Sequence, residues 1–290
     1  MGAKTLLWAN RFFRAPAHPF NLRADGRMTY AEWQFERGGD TVRCYSGWRR
    51  LADEGGVEAM FRGKDVLDVG CGAAGKTVYY ATLGARRVVG IDIIERYRAE
   101  AEGIAAREGC AGVFSFVCRD ASSTGFDDGS FDTVVMNDAM EHVADPEGAL
   151  KECMRVLRPG GRLYVNFPPY GHPYGAHLSD AIAIPWVHML FSERDMAEAY
   201  KELVGGLPDG DERVALRFAA GPDGSLRFSY INKMGIARFK RMMRGCASWA
   251  RLAYYRELPL RGFLAAPAKL PGLKELLVRM VVAVVEKPDA

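Results

Sequence analysis

Short apolar runs alternate with longer mixed segments between Lys64 and Phe167. Runs rich in Val, Ile, Leu and Phe are typical of parallel strands that are buried on both faces. The mixed segments between them are typical of helices, so the pattern predicts repeated β-α units around a parallel sheet. Strands are predicted at residues 65–69, 87–91, 113–118, 131–136 and 162–166.

Helices are predicted between these strands, at residues 76–83, 94–108 and 146–157. The last helix is followed by Arg158-Pro159-Gly160-Gly161, whose proline and glycines stop a helix and turn the chain. Strand five is therefore expected to begin just after this turn. A further apolar run at residues 276–286 predicts a final antiparallel strand. An alternative interpretation is a membrane-surface helix over residues 249–280, because this segment carries several arginines and lysines.

Together these elements predict an α/β fold with a Rossmann-like, doubly wound, mostly parallel seven-stranded sheet, an antiparallel last strand and a small helical cap. We expect residues 1–60 to form an N-terminal cap or substrate lid and residues 61–170 the cofactor-binding core. Residues 171–290 are expected to add a substrate-side insertion and complete the sheet. Several aromatic residues near the N-terminus are expected either to cover the ligand edge of the sheet or to pack in the core and the cap: Trp8, Phe12, Phe13, Phe20, Tyr30, Trp33, Phe35, Tyr45 and Trp48.

Hydrophobic content, charge and cysteine content limit the classes of function and partner that the sequence supports. The 290 residues are 49% hydrophobic and 26% charged, which is enough apolar material for one large core or a core with a smaller cap. The 39 basic and 36 acidic side chains are interspersed, so no nucleic-acid partner is expected. Six cysteines without a C-x-x-C pair predict reduced thiols and a cytoplasmic location. No signal peptide or spanning segment of roughly 18 apolar residues is recognised, whereas peripheral membrane contact stays open.

A glycine-rich loop, Gly70-Cys71-Gly72-Ala73-Ala74-Gly75-Lys76-Thr77, follows the first predicted strand and opens a helix. Its glycines let backbone amides approach a ligand at the helix N-terminus. The loop matches G-x-G-x-x-G of dinucleotide sites and also G-x-x-x-x-G-K-[ST] of phosphate-binding P-loops. By itself it leaves nicotinamide dinucleotide (NAD), a nucleoside triphosphate and S-adenosylmethionine (SAM) as alternatives.

Carboxylates discriminate between these ligands. Asp68, Asp92, Asp120 and Asp138 all lie at or just beyond the carboxyl ends of predicted strands, where ligands bind in an open α/β sheet. Such a crevice repels a triphosphate unless a metal intervenes, but it suits SAM, which carries a sulfonium and an ammonium group and no phosphate. Asp92 follows Gly72 by about 20 residues, a separation at which an acid can bond ribose hydroxyls of either NAD or SAM.

Five successive motifs at these positions resemble those of class I SAM-dependent methyltransferases, in particular the ubiquinone-biosynthesis type (methyltransferase type 11). The resemblance covers Lys64 to Phe167 and only loosely the flanks. The motifs are Val66-Leu67-Asp68-Val69-Gly70-Cys71-Gly72, Gly90-Ile91-Asp92, Asp120-Ala121, Met140-Glu141-His142-Val143 and Leu157-Arg158-Pro159-Gly160-Gly161.

The resemblance implies roles for individual residues. It assigns the methionine part of SAM to Asp68, Gly70 and Gly72, the ribose to Asp92, the adenine to Asp120 and Ala121, and the sulfonium side to Asn137. The neighbouring Cys71 and Ile93 are also expected to bind the cofactor. The pair Lys76-Thr77 departs from the family's pattern, and its likeness to a P-loop is interpreted as coincidence.

Methyl transfer from a sulfonium is an in-line displacement, so the protein mainly aligns the reacting atoms and excludes water. A phenol or alcohol acceptor also needs a base, for which His142, His172 and His177 are candidates, while His18 and His188 are interpreted as structural. If Asp138, Glu141 and His142 shared a helix face, they would offer ligands for a divalent metal ion, with His172 or His177 joining from the next loop. The alternative is that these three side chains cap a helix or line the pocket without a metal.

The sequence therefore predicts a SAM-dependent methyltransferase that acts on a small, partly apolar molecule, with oxygen as the expected acceptor atom. Tyr170, Tyr174 and Trp186 are expected to close the pocket. Carbon methylation of an isoprenoid or quinone-like ring is the close alternative. Three further alternatives are an NAD-dependent oxidoreductase, a P-loop nucleotide-binding switch and a protein that binds SAM without transferring methyl.

Overall fold

The computed structural model describes residues 2–289 and divides them into two compact units that interleave along the chain. Residues 29–167, 237–258 and 280–289 form one, the sheet unit; residues 2–28, 168–236 and 259–279 form the other, the helical unit. The functional division predicted at residues 1–60, 61–170 and 171–290 stays a prediction, because these units describe packing and not what a segment binds.

Helices occur throughout both units. They are α1 (Ala3–Asn10), α2 (Pro19–Ala24), α3 (Tyr30–Glu36), α4 (Gly38–Arg43), α5 (Arg49–Asp53), α6 (Gly75–Thr82), α7 (Arg98–Arg107), α8 (Pro146–Val156), α9 (Val187–Leu190), α10 (Glu193–Val204), α11 (Gly210–Arg217), α12 (Ile236–Gly245) and α13 (Lys274–Leu277), with 3-10 turns at Gly56–Met60, Glu95–Tyr97, Gly262–Leu264, Pro267–Lys269 and Pro271–Leu273.

The strands are β1 (Asp65–Val69), β2 (Arg87–Asp92), β3 (Phe114–Cys118), β4 (Phe131–Asn137), β5 (Leu157–Phe167), β6 (Phe218–Ala220), β7 (Leu226–Phe228), β8 (Arg251–Pro259) and β9 (Val278–Glu286). Seven of them form one sheet in the order β3-β2-β1-β4-β5-β9-β8, while β6 and β7 pair separately. The first five strands of that order are parallel, and β9 runs antiparallel to β5. These pairings confirm the predicted Rossmann-like, mostly parallel seven-stranded sheet.

Strand β1 shows why the apolar pattern predicted the sheet well. All five of its residues are buried, and it pairs with β2 on one side and with β4 on the other. A strand covered on both faces needs a continuous run of apolar or satisfied side chains, which is what the sequence shows. The chain order reverses between β1 and β4, so a crevice is expected at the carboxyl ends of these two strands.

The predicted start of strand five is wrong. Strand β5 begins at Leu157, before the Arg158-Pro159-Gly160-Gly161 turn, because Leu157 already pairs with Phe131. The next pair joins Thr133 to Arg162, so the turn residues form an irregularity inside the strand. Gly160 has a φ of 71°, a left-handed conformation that glycine adopts readily.

The sequence also misplaced the C-terminal edge of the sheet. Residues 251–259, which fall within the alternative membrane-surface helix, form the edge strand β8, so that alternative is wrong over this segment. The predicted antiparallel strand at 276–286 is present as β9, but β8 lies outside it. No helix among residues 2–289 is long and apolar enough to cross a membrane.

The N-terminal aromatics do not behave as one group. Trp8 and Phe12, in the helical unit, have 60% and 72% of their surface exposed. Tyr45 and Trp48, in the sheet unit, are buried in its core. The common aromatic cover stays a prediction, because the burial of these side chains does not test it.

The helical unit has its own core and a buried ionic cluster. Leu6, Met196 and Tyr200 are among its fully buried apolar residues. At the centre of the cluster, Asp180 accepts hydrogen bonds from Tyr200 Oη (2.7 Å), Arg213 (3.2 Å) and Arg217 (3.0 Å). A buried charge is tolerated only when it is paired and hydrogen-bonded, and these three donors meet that need for Asp180.

Candidate functional site

The glycine loop lies at the reversal point of the sheet. Gly70 and Gly72 have φ values of 72° and 58°, which favour glycine. A Cβ on Gly70 would stand 2.6 Å from the Cβ of Ala139, so the loop after β1 approaches the segment after β4 closely. The two segments thus border the crevice where an open α/β sheet binds ligands.

Asp92 is fixed to the glycine loop. Its Oδ2 accepts a hydrogen bond from the backbone N–H of Gly72 (2.8 Å), and its Oδ1 accepts one from that of Ile94 (2.9 Å). Burial nevertheless raises the pKa of this carboxyl above its usual value. The neighbouring Ile93 is largely exposed. The ribose and cofactor roles predicted for these residues stay predictions, but the geometry places the carboxylate beside the loop that they require.

Asp68 is buried beneath the same loop. Thr77 Oγ1 in the first turn of α6 donates a 2.6 Å hydrogen bond to its Oδ2. Burial raises the pKa of Asp68 to about 7, and the nearby Lys76 opposes that rise. Asp68 is therefore a carboxyl whose charge is poorly stabilised by the protein alone.

The two P-loop-like residues both have carboxylate partners. Thr77 bonds Asp68, as above, and Lys76 Nζ lies 2.7 Å from Asp138 Oδ2. The Lys76 side chain has only 12% of its surface exposed, against 40% for Asp138. Lys76 and Thr77 therefore each bind a carboxylate of the protein, and the ion pair of Lys76 joins α6 to the segment after β4.

A buried polar network holds the ends of β4 and β5. Asn137 Oδ1 accepts hydrogen bonds from Tyr45 Oη (2.8 Å) and Asn166 Nδ2 (2.5 Å), and Asn137 Nδ2 donates to Tyr80 Oη (2.8 Å). Because its amide is engaged in this way, the role of Asn137 on the sulfonium side stays a prediction. The backbone N–H of Asp138 also donates to Asn166, at 3.0 Å to its carbonyl and 3.2 Å to its Oδ1.

The segment from Asp138 to His142 is a turn, so the predicted helix face shared by Asp138, Glu141 and His142 is wrong. The following helix begins only at Pro146, where Asp145 caps it. His142 Nε2 lies 3.9 Å from Glu141 Oε1, while Asp138 pairs with Lys76. Burial, with a smaller contribution from Asp138, raises the pKa of Glu141 well above its usual range. The shared helix face therefore no longer supports a metal site, but Glu141 and His142 still lie side by side, and the metal role of Asp138, Glu141 and His142 stays a prediction.

The turn after β3 carries Asp120 and Ala121 at the same edge of the sheet. Asp120 Oδ1 accepts hydrogen bonds from the backbone N–H (2.8 Å) and hydroxyl (2.5 Å) of Ser122. One residue earlier, the N–H of Arg119 donates to the carbonyl of Asp92 (3.0 Å), which ties this turn to the end of β2. The adenine role predicted for Asp120 and Ala121 stays a prediction.

The other predicted catalytic histidines belong to the helical unit. His172 Nδ1 accepts a hydrogen bond from the N–H of Tyr174 (3.2 Å), and burial lowers the pKa of His172 to about 4. It would be neutral at pH 7 and a weak base. The His177 carbonyl accepts from Arg217 Nε (3.3 Å) and Tyr230 Oη (2.8 Å), which fixes its backbone. The catalytic roles of both histidines stay predictions.

The other two histidines and the predicted pocket-closing aromatics also lie in the helical unit. His18 Nδ1 accepts from the N–H of Phe20 (3.3 Å) and caps α2, and the His188 ring contacts Tyr170. Trp186 Nε1 donates to the carbonyl of Leu276 (3.4 Å). The predicted pocket-closing role of Tyr170, Tyr174 and Trp186 stays a prediction.

Two residues of α3 reach the glycine loop. Tyr30 is one of the aromatics expected at the ligand edge, whereas Gln34 was not identified from the sequence. Gln34 Nε2 donates to the carbonyl of Cys71 (3.1 Å), and Gln34 Oε1 accepts from the N–H of Gly75 (3.2 Å). A Cβ on Gly72 would stand 3.4 Å from Tyr30 Oη. These contacts bridge about 40 residues of sequence, and no local motif near Tyr30 or Gln34 signals them.

Comparison with known proteins agrees with this geometry. Residues 67–165 match the family described as methyltransferase domain. Tocopherol O-methyltransferase of Arabidopsis thaliana is 36% identical over 102 residues, which are 35% of this chain and 29% of that protein. Sterol 24-C-methyltransferase of Aspergillus fumigatus is 39% identical over 111 residues, 38% of this chain and 29% of that protein. The chain thus spans under a third of the length of these two relatives.

A longer match joins the chain to a ubiquinone/menaquinone biosynthesis C-methyltransferase of Ectopseudomonas mendocina, 28% identical over 195 residues, 65% of this chain and 74% of that protein. Among solved structures, a SAM-dependent methyltransferase of Methanosarcina mazei has a TM-score of 0.51 at 21% identity, covering 81% of this chain and 97% of that one. The cyclase SpnF has a TM-score of 0.50 at 19% identity, with coverages of 83% and 82%. The structural likenesses show a shared fold, and the family match shows that residues 67–165 form a methyltransferase domain.

Proposed function

We propose that the protein transfers a methyl group from SAM to a hydroxyl oxygen of a small, partly apolar acceptor. The observation that carries this proposal is the attachment of Asp92 to the glycine loop through Gly72, at the reversal point of the sheet. An acid in that position can accept hydrogen bonds from ribose hydroxyls, while the loop amides lie close to the rest of the cofactor.

The charges of the crevice favour SAM over a nucleotide with phosphates. Asp68 and Asp138 border the loop together with one lysine, Lys76, which is already paired with Asp138. A polyphosphate would have to separate this pair and approach carboxylates of its own sign. The sulfonium and ammonium groups of SAM would instead be attracted to the same carboxylates.

The transfer itself requires alignment and, for a hydroxyl acceptor, removal of a proton. A carbon–oxygen bond forms as the sulfur–methyl bond breaks, the sulfur keeps the bonding electron pair, and S-adenosylhomocysteine leaves. The hydroxyl proton passes to a base. We assign the base to His142, which is partly exposed on the turn after β4, in preference to His172, whose pKa of about 4 makes it a weak acceptor.

Carbon methylation of an isoprenoid or quinone-like ring is the second candidate. It is supported by two relatives named as C-methyltransferases, of sterols and of ubiquinone/menaquinone biosynthesis. Oxygen transfer is supported by the tocopherol O-methyltransferase. The two candidates differ in the product, because only O-methylation removes a titratable hydroxyl.

Calorimetric titration with S-adenosylhomocysteine tests the cofactor first, with NADH and ATP as controls. We expect micromolar binding of S-adenosylhomocysteine alone; binding of NADH or ATP instead would overturn the proposal. Hydroxylated aromatic and isoprenoid-substituted rings are then offered with SAM, and mass spectrometry with NMR locates the new methyl group. A methyl on carbon would replace the oxygen assignment, and SAM binding without turnover of any acceptor would favour a protein that binds SAM without transfer.

A further inference from the structure

We propose that the ion pair between Lys76 and Asp138 occupies the subsite for the α-amino-acid end of SAM, and that Lys76 binds the cofactor's carboxylate when SAM replaces this pair. The inference rests on the proposed function and adds a ligand-binding role to a lysine that the methyltransferase motifs do not include. Lys76 is the second residue of α6, at the end of the glycine loop, and Asp138 follows directly on β4.

The pair crosses the crevice between the two segments that border it. Gly70 and Ala139 belong to these two segments and are close enough that a Cβ on Gly70 would stand 2.6 Å from the Ala139 side chain. The 2.7 Å contact from Lys76 Nζ to Asp138 Oδ2 therefore spans the place where a ligand of this sheet would lie. A ligand that binds there must accommodate or displace it.

The chemistry of the pair matches that of an amino-acid zwitterion. One ammonium and one carboxylate are held in contact, as they are in the methionine part of SAM. When SAM binds, its carboxylate can pair with Lys76 and its ammonium group can pair with Asp138. Two ion pairs then replace one, and every charged group keeps a partner. A ligand without the carboxylate would instead leave Lys76 without its counter-ion, in a site where its side chain is only 12% exposed.

Two further observations mark this as a prepared site. Asp138 has a φ of 52°, a left-handed conformation that aspartate adopts more readily than most residues with a Cβ. Its backbone N–H is held by Asn166 through both a carbonyl and a side-chain oxygen. Lys76 also acts electrostatically on Asp68 and Glu141, so it is the cation that offsets several carboxyl groups of the crevice.

The test compares SAM with decarboxylated SAM, which keeps the sulfonium and ammonium groups and lacks the carboxylate. Calorimetry should show that the wild-type protein binds SAM about tenfold or more tightly than the decarboxylated compound, as expected for one charge-assisted hydrogen bond. In Lys76→Met the affinity for SAM should fall about tenfold while that for decarboxylated SAM stays the same, so the preference disappears. Lys76→Arg should retain it.

Two variants serve as controls. Lys151→Met removes an exposed lysine of α8 and should leave both affinities unchanged. Asp92→Ala should weaken both ligands equally, because it acts at the ribose. An equal loss of both ligands in Lys76→Met, or no loss of either, would overturn the inference. If the folded wild-type protein binds neither SAM nor S-adenosylhomocysteine, the proposed function itself fails, and this is seen before any variant is made.

Discussion

Asp92 is the single residue on which the cofactor assignment depends most. Replacing it with alanine removes both acceptors that now hold Gly72 and Ile94, as well as the proposed bond to a ribose hydroxyl. We expect Asp92→Ala to lose tenfold or more in affinity for S-adenosylhomocysteine, since a hydrogen bond to a charged group contributes roughly 1.5 to 3 kcal/mol. Calorimetric titration measures this loss.

A matched change separates charge from shape at this position. Asp92→Asn keeps one oxygen acceptor in the same place, so its loss of affinity should be smaller than that of Asp92→Ala. Circular dichroism of both variants controls for folding. Unchanged affinity in Asp92→Ala would remove this residue from the cofactor site.

Asp68 predicts a pH dependence of cofactor binding. In the folded protein, burial raises its pKa to about 7, so at lower pH the carboxyl holds a proton that a cationic ligand must displace. SAM affinity should therefore rise, by up to about tenfold per pH unit, as pH increases toward 7, and level off above it. Asp68→Asn should flatten this profile. A wild-type affinity that is constant from pH 5.5 to 7, a window taken from that pKa of about 7, would contradict the assignment.

The raised pKa of Asp68 has the opposite effect on the stability of the protein without cofactor, which falls as pH rises. The unfolded chain titrates this carboxyl near its ordinary value of 3.8, whereas the fold favours the protonated form up to about pH 7. The contribution of Asp68 to the free energy of unfolding therefore falls as pH rises through that interval. A cofactor that stabilises the carboxylate would recover part of this loss.

At the residue scale, the sequence identified the acids of the site better than their partners. Asp68 and Asp92 could be predicted because each ends an apolar strand, a local signal. The contacts of Gln34 with Cys71 and Gly75 could not, because they depend on how α3 docks. Lys76 was visible, but its motif suggested phosphate, and its partner Asp138 lies 62 residues away.

At the element scale, the contact of α3 with the start of α6 supports the glycine loop. A Cβ on Gly75 would stand 1.9 Å from the carbonyl oxygen of Ala31 and 2.7 Å from the backbone nitrogen of Phe35. Since both atoms belong to the backbone, the clash cannot be relieved by rotating a side chain. We expect Gly75→Ala to lower the free energy of unfolding by about 1 to 3 kcal/mol or more, measured by urea denaturation.

Gly103 in the middle of α7 provides the matched control. A Cβ there would meet no atom within 4 Å, so alanine adds only helix propensity. Gly103→Ala should leave stability unchanged or raise it by roughly 0.5 to 1 kcal/mol. If Gly75→Ala were as well tolerated as Gly103→Ala, helix α3 would not pack against the loop as described.

Buried central strands were predicted closely and the edges of the sheet poorly. Strand β1 was placed at its observed limits, because a strand covered on both faces has an unbroken apolar run. Strand β8 is mostly half-buried and contains charged residues, so its pattern did not distinguish a strand from a surface helix. The turn at Arg158-Pro159-Gly160-Gly161 was recognised correctly as irregular, but irregularity inside a strand and a boundary between elements look alike in sequence.

For the whole molecule, the sequence predicted the sheet but not the interleaving of two units. Segments near the N-terminus, after β5 and near the C-terminus join in the helical unit, although they are far apart in the chain. Their association depends on buried residues such as Leu6 and Tyr200, whose local patterns suit many packings. The family resemblance covered mainly Lys64 to Phe167, so it carried little information about this unit.

The two cores make a prediction about which part of the molecule opens first. The Asp180 side chain is fully buried and pairs with Arg213 and Arg217, of which Arg213 also pairs with Asp209. Asp180→Asn therefore removes the carboxylate that pairs with the buried Arg217 guanidinium. Removing one member of a buried ion pair costs about 3 to 5 kcal/mol. We expect this cost in the free energy of unfolding, and hydrogen exchange should accelerate in α10 and α11 while β1 and β4 keep their protection, because each unit has its own core.

The control is Asp223→Asn, which breaks an exposed pair with Arg227 and should change neither measurement detectably. Equal acceleration in both units would show instead that they unfold as one cooperative structure.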